Sequence, residues 1–133
     1  MFNTVLFPVD QTRESRHAAE LVANLVKTYG AQLTLLSVVE PAEEEGAAAA
    51  PSPETIAKLL ESARSLFQQA GIDAAVVERQ GMPAFVICDV ADELNADLIV
   101  MGSRGTGLTE EGLSDSVSNR VINLSPCPVL IVP

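Results

Sequence analysis

At 133 residues and 14.0 kDa the chain has room for one domain with a real core, and 47% hydrophobic against 20% charged residues is ordinary for a folded globular protein. A net charge of −10 and a pI near 4.3 argue against unassisted binding to nucleic acid or to an anionic membrane, since both need clustered cations. No run of about 18 apolar residues is present, and MFNTVLFPVD lacks the basic start and long apolar core of a secretion signal, so the expectation is a cytoplasmic protein.

The chain opens with TVLFPV (4–9), a strand-like run in which Pro8 has no N–H to give and so marks where ladder pairing ends. Asp10 follows. A carboxylate at the end of such a strand either accepts bonds from a ligand's hydroxyl or amino group, or caps the turn into the next helix. Spacing alone leaves both readings open. Ala18, Leu21, Val22, Leu25 and Tyr29 form the apolar face of a first helix that Gly30 closes. His17 lies off that face and reads as solvated. LTLLSVV (33–39) is almost continuously apolar, as a strand buried on both faces must be.

The stretch PAEEEGAAAAPSP (41–53) is of low complexity; it fits a flexible, solvated linker better than the alternative, a lid over a site. Ser52-Pro53 then starts a second helix with a cap residue before proline. Its apolar face is Ile56, Leu59, Leu60, Ala63, Leu66 and Phe67, and Gly71 closes it. A third strand, AAVVE (74–78), leads to a third helix with Val86, Ile87, Val90, Ala91 and Leu94 inward; Asp89, Asp92 and Glu93 form its wet side. ADLIVMG (96–102) and PVLIVP (128–133) are two further buried strands, separated by a short helix carrying Leu113, Val117, Val121 and Leu124.

Strands that alternate with helices in this way imply right-handed crossovers and one doubly wound α/β domain, 1–133, with a parallel sheet covered on both faces. Such domains bind ligands beyond the carboxyl ends of their strands, where strand order reverses. The candidate segments are therefore the chain after Val9, after Val39 and after Met101. Cys88 and Cys127 belong to no CxxC pair and read as buried thiols. With one histidine and no cysteine cluster, no His/Cys metal site is expected. No convergent acid, base and nucleophile is visible, so an enzyme is not expected.

The informative stretch is MGSRGTGLTEEGLSDSV (101–117). Gly102 follows a buried strand, Gly105 comes three residues later, and Ser116 stands at a helix start. Glycines there let backbone N–H groups approach phosphate oxygens, and a helix N-terminus favours an anion. A glycine-rich connection leading to a capped helix is the plainer reading of the same residues.

VLFPVDQT, DLIVMGSRG (97–105) and SVSNRVINLSPCPVLIVP (116–133) together resemble the universal stress protein family over nearly the whole chain. The resemblance implies a five-stranded parallel sheet in the order 3-2-1-4-5 and a homodimer through the last strand, 128–133. It also implies a stress-response role with an adenine-nucleotide cleft for ATP, ADP or AMP. Magnesium with the nucleotide is expected only as an offset to the nearby acids, and any ATP hydrolysis is expected to be very slow, because no base is placed to orient water. Nucleotide-binding members carry G-x2-G-x9-G-[S/T]; here Gly102, Gly105 and Ser116 match, whereas Asp115 replaces the third glycine. Carried over, the site is Pro8, Val9, Asp10, Val39, Met101, Gly102, Arg104, Gly105, Ser116 and Val117. Asp10 would meet the adenosine, Val39 or its neighbour the adenine through the backbone, Gly102 the ribose, and Gly105, Ser116 and Val117 the phosphates.

Asp115, with Glu110 and Glu111, sets the terms of that binding. A carboxylate about 5 Å from a phosphate charge costs roughly 3 kcal/mol at an effective dielectric near 20. Screening reduces this to about 1–2 kcal/mol, which leaves a weakened ligand rather than none. Arg104 or a divalent cation offsets part of the repulsion. In the alternative, Asp115 caps the last helix as a built-in anion, and the protein is a nucleotide-free dimerisation or interaction module.

Overall fold

The computed structural model describes residues 2–9, 13–39, 53–102 and 117–133. Along them run β1 (Thr4–Pro8), α1 (Arg13–Tyr29), β2 (Gln32–Val39), α2 (Pro53–Gln69), β3 (Ala74–Gln80), α3 (Pro83–Leu94), β4 (Leu98–Gly102), α4 (Val117–Leu124) and β5 (Val129–Val132). The strands form one parallel sheet in the order β3-β2-β1-β4-β5, the 3-2-1-4-5 arrangement that the family resemblance implies.

Strand alternation divides the core in two. Val5, Phe7, Leu33, Leu35, Leu98 and Val100 point to one face, where Ala18, Val22 and Val26 of α1 and Ile56, Leu60 and Phe67 of α2 cover them. Leu6, Leu36, Ile99 and Met101 point to the other, under Ala84, Ile87, Val90 and Ala91 of α3 and Val121 of α4. Phe7 and Phe67 meet edge to face at 6.2 Å, fixing α2 over the central strand. Each fully buried side chain of this size contributes about 1.5–3 kcal/mol, so the two-sided core is the main source of stability.

Three helices stop by the same device. The N–H of Ala31 bonds the carbonyl of Val26 at 3.1 Å, Ile72 that of Phe67 at 2.9 Å, and Ala96 that of Ala91 at 2.9 Å. Each bond spans a left-handed residue, namely Gly30, Gly71 and Asn95. The two glycines were legible as stops. Asn95 does the same work with a side chain that tolerates this conformation.

Burial corrects the predicted faces in detail. The inward stripe of α1 runs through Ala18, Val22 and Val26, while Leu21 and Tyr29 are 40% and 45% exposed. Tyr29 packs its ring on Phe2 at the rim instead. In α2 Leu66 is 59% exposed and Phe67 takes the core position. The expectation that β5 is buried on both faces fails: only Val132 is buried, because β5 is an edge strand with one neighbour. Cys88 is buried as expected, but Cys127 is only half-buried. Leu124 stands 49% exposed, and Leu113 lies outside the described residues, as does the 41–53 linker apart from Pro53.

At the amino edge of the sheet a single carboxylate joins two strands. Asp97 Oδ2 accepts the N–H of Asn3 at 2.7 Å and that of Thr4 at 3.0 Å, just before β4 begins. The opposite, carboxyl edge is thereby left to the site.

Candidate functional site

The split between β1 and β4 at the carboxyl edge follows from one residue's chemistry. β1 pairs with β2 as far as Pro8↔Leu36, and the Val9 N–H goes on to the Leu36 carbonyl at 2.8 Å. On its other side β1 pairs with β4 only as far as Leu6↔Ile99. Because Val9 turns its N–H toward β2, alternation turns the nitrogen of Pro8 toward β4, and that nitrogen carries no hydrogen. The β1–β4 ladder therefore ends early. This is also where strand order reverses, with α1 leaving to one face and α3 and α4 lying on the other.

Among the described residues, backbone rather than side chains lies along this split. Val9 buries its side chain in the α1/α2 core and Met101 in the α3/α4 core. Ile99 gives its N–H to Pro128, on the β5 side. Alternation then turns the peptide groups of Leu98, Val100 and Gly102 toward β1. Gly102, half-exposed at the end of β4, has its carbonyl held by the Ser118 hydroxyl at 3.0 Å. That bond brings the first turn of α4, including Val117, to the end of β4.

On β2 the same reasoning sharpens one assignment. The carbonyl of Val39 is taken by the N–H of Gly81 at 2.9 Å, so it faces β3 and not β1. The Leu36 carbonyl faces β1, and Val38, two residues on, has its peptide groups on that same side. Of Val39 and its neighbour, Val38 is thus the residue whose backbone edges toward β1.

Pro8, Val9, Met101, Gly102 and Val117 are brought together around the β1–β4 split, and Val39 lies one strand over. Asp10, Arg104, Gly105 and Ser116 lie outside the described residues, as do Glu110, Glu111 and Asp115. Ser118 and Val38 were not singled out from sequence. A small hydroxyl two residues after Ser116 is a faint signal for the first; the second needs the register.

Other titratable groups among the described residues offer no catalytic set. His17 is exposed on α1. Glu93, on the wet side of α3, accepts from Arg79 at 3.0 Å across an exposed pair. Burial, aided by Asp89 and Cys127, pushes the Cys88 thiol up. Burial also raises Cys127, against the lowering effect of its bond with Ser125. Neither thiol is poised as a nucleophile. Among the described residues no group of three His, Cys, Asp or Glu side chains could hold a metal ion. Among them, too, no helix is long and apolar enough to cross a membrane.

Comparison with known proteins agrees with the fold. The model of the universal stress protein family matches residues 1–133. A universal stress protein of Synechocystis sp. is 60% identical over all of this chain and 87% of its own length. One from Bacillus subtilis is 33% identical over 99% of both. Among solved structures, a universal stress protein in complex with cAMP superposes with a TM-score of 0.81 at 27% identity, over 99% of this chain and 97% of its own. The Archaeoglobus fulgidus protein in complex with dAMP shares the fold, with a TM-score of 0.76 at 20% identity over 99% and 98% of the two chains. The chain belongs to the universal stress protein family.

Proposed function

We propose that this protein is a cytoplasmic, homodimeric stress regulator that binds an adenine nucleotide weakly, or with the help of a cation, in the crevice between β1 and β4. It does so without catalysing a reaction beyond very slow hydrolysis. The observation that carries the reading is the split at Pro8, where the β1–β4 ladder stops short while β1–β2 pairing continues. A base with hydrogen-bonding edges and a sugar with hydroxyls suit a slot lined by backbone groups at a strand-order reversal. The relative solved with cAMP supports the same ligand class.

The acids of the loop bias the choice among nucleotides. Glu110, Glu111 and Asp115 set negative charge in the segment that would face the outer phosphates. A ligand with one phosphate meets less repulsion than one with three, so AMP or adenosine is preferred to free ATP, and magnesium narrows the gap.

Dimerisation rests on β5. It has one neighbour in the sheet and carries Val129, Leu130 and Ile131, half-buried and without charge, while Ile122 and Leu124 are exposed on α4. An apolar unpaired edge is a template for a second strand. Leu130→Asp yields monomer in light scattering on this account; an unaltered dimer contradicts it.

The nucleotide reading is tested by denaturing the purified protein, identifying any released nucleotide by chromatography, and titrating AMP and ATP with magnesium by calorimetry. Release of an adenine nucleotide, or saturable heat at up to millimolar AMP, supports it. Protein that is nucleotide-free and silent to both ligands favours the second reading, an interaction module whose phosphate position Asp115 fills.

A further inference from the structure

Resting on the nucleotide reading, we infer that the Ser37 hydroxyl is a base-contacting group, donating to a ring nitrogen of adenine at the carboxyl end of β2. Ser37 is 5% exposed; with Thr34 and Ser118 it makes up the enclosed polar side chains of the described residues. Ser118 gives its hydroxyl to the Gly102 carbonyl, whereas the Ser37 hydroxyl has no partner among the described residues. Among them, no side-chain oxygen is both sealed from solvent and unpaired. The small surface that Ser37 keeps therefore includes its oxygen. With β1 and β3 on either side of β2 and the α1/α2 core over it, the open direction is the carboxyl edge. An enclosed hydroxyl without a bond is a cost that a ligand offsets.

The neighbours of Ser37 indicate which part of a nucleotide it meets. Alternation puts its side chain on the face of Leu33 and Leu35, the α1/α2 side. Val9, which follows the Pro8↔Leu36 pair, stands beside it on β1, and Val39 lies beyond it on β2; both pack into that core. One polar atom framed by two valines suits a flat neutral ring better than a phosphate, whose desolvation nothing there would offset. The backbone of Val38, next in the chain, edges toward β1 and is free to meet the rim of the same ring. β2 lies two strands from β4, about 10 Å away, so a base at Ser37 leaves its sugar to the end of β4. Thr34 provides the contrast. It is 7% exposed and also has no partner among the described residues, but it sits level with Leu6 in mid-strand, on the α3 side. It has the chemistry without the position.

The test titrates AMP, adenosine and the deaza analogues of adenosine, in each of which C–H replaces one ring nitrogen, into the parent, Ser37→Ala and Thr34→Val by calorimetry. Ser37→Ala is expected to lose AMP and adenosine affinity about fivefold, the scale of one neutral hydrogen bond, and Thr34→Val to stay within about twofold of the parent. Both variants should keep the parent's Tm within about 3 °C, since neither hydroxyl has a bond to lose. The parent should bind one deaza analogue about fivefold more weakly than adenosine, and Ser37→Ala should erase that difference, as a double-mutant cycle requires of a direct contact. Equal AMP affinity of Ser37→Ala and the parent overturns the inference and leaves the nucleotide reading standing. So does a loss in Ser37→Ala that is the same for adenosine and every analogue, or one accompanied by a larger fall in Tm, because either marks an indirect effect. A parent protein that binds neither AMP nor adenosine overturns both readings.

Discussion

Gly81→Ala is the substitution whose cost the structure defines most closely. Gly81 joins β3 to α3 with φ of 145°, a backbone conformation that L side chains rarely adopt, and its N–H bonds the Val39 carbonyl at 2.9 Å. A Cβ placed there would lie 2.8 Å from Val86 Cγ2. Backbone strain of this kind costs about 1–3 kcal/mol, and displacing a half-buried valine methyl adds about 1 kcal/mol. The total is about 2–4 kcal/mol, or roughly 10 °C in Tm for a domain of this size. Urea denaturation with linear extrapolation measures it directly. In a Val86→Ala background the cost of Gly81→Ala should fall by about 1 kcal/mol, because only the backbone part remains. At a compatible position Gly→Ala stabilises by about 0.4–1 kcal/mol, so the sign itself discriminates. A loss under about 0.5 kcal/mol, or any gain, refutes the reasoning.

Three further outcomes follow from the same coordinates and sequence. Asp97→Ala removes the acceptor of two backbone N–H groups at the amino edge, and it should cost about 1–3 kcal/mol in urea denaturation; a loss under about 0.5 kcal/mol contradicts the tie between β1 and β4. Both thiols are raised in the folded protein, so above about pH 8.5 the unfolded chain ionises first and stability falls as pH rises. The Cys88→Ala/Cys127→Ala double variant should lose less stability than the parent between about pH 8.5 and 10, and identical slopes would count against buried thiols. Asp115→Gly should tighten ATP binding about tenfold in calorimetry, the equivalent of about 1–2 kcal/mol of relieved repulsion; an unchanged or weaker affinity shows that the carboxylate does not face the phosphates.

The architecture was largely legible because each element carries its own period and its own stop. The continuous apolar runs of β2 and β4, with Gly30 and Gly71 as punctuation, identify buried strands and helix ends without tertiary information. What the sequence left open depended on neighbours. Whether Leu21 or Val26 turns inward on α1 is decided by the angle at which the helix crosses the sheet. The half-buried state of β5 depends on its having one partner strand, which composition cannot reveal.

The site was legible in outline for a similar reason. Pro8 and Gly102 are residues whose backbone chemistry differs from the rest, so they stand out in a string of letters. The direction of a peptide group does not. Val38 and Val39 are identical in sequence, and only the bonds that Val9 donates to Leu36 and Gly81 donates to Val39 tell which one edges toward β1. Ser118 likewise looks like any helical serine until its partner sixteen residues away is known.

Amide chemical shifts followed during an AMP titration test the central claim most directly, because they report both binding and place. On 15N-labelled protein, saturable shifts should concentrate at Val9, Val38, Gly102 and Val117, around the β1–β4 split. Absence of saturable shifts at millimolar AMP with magnesium, or shifts confined to the amino edge near Asn3 and Asp97, would contradict the account.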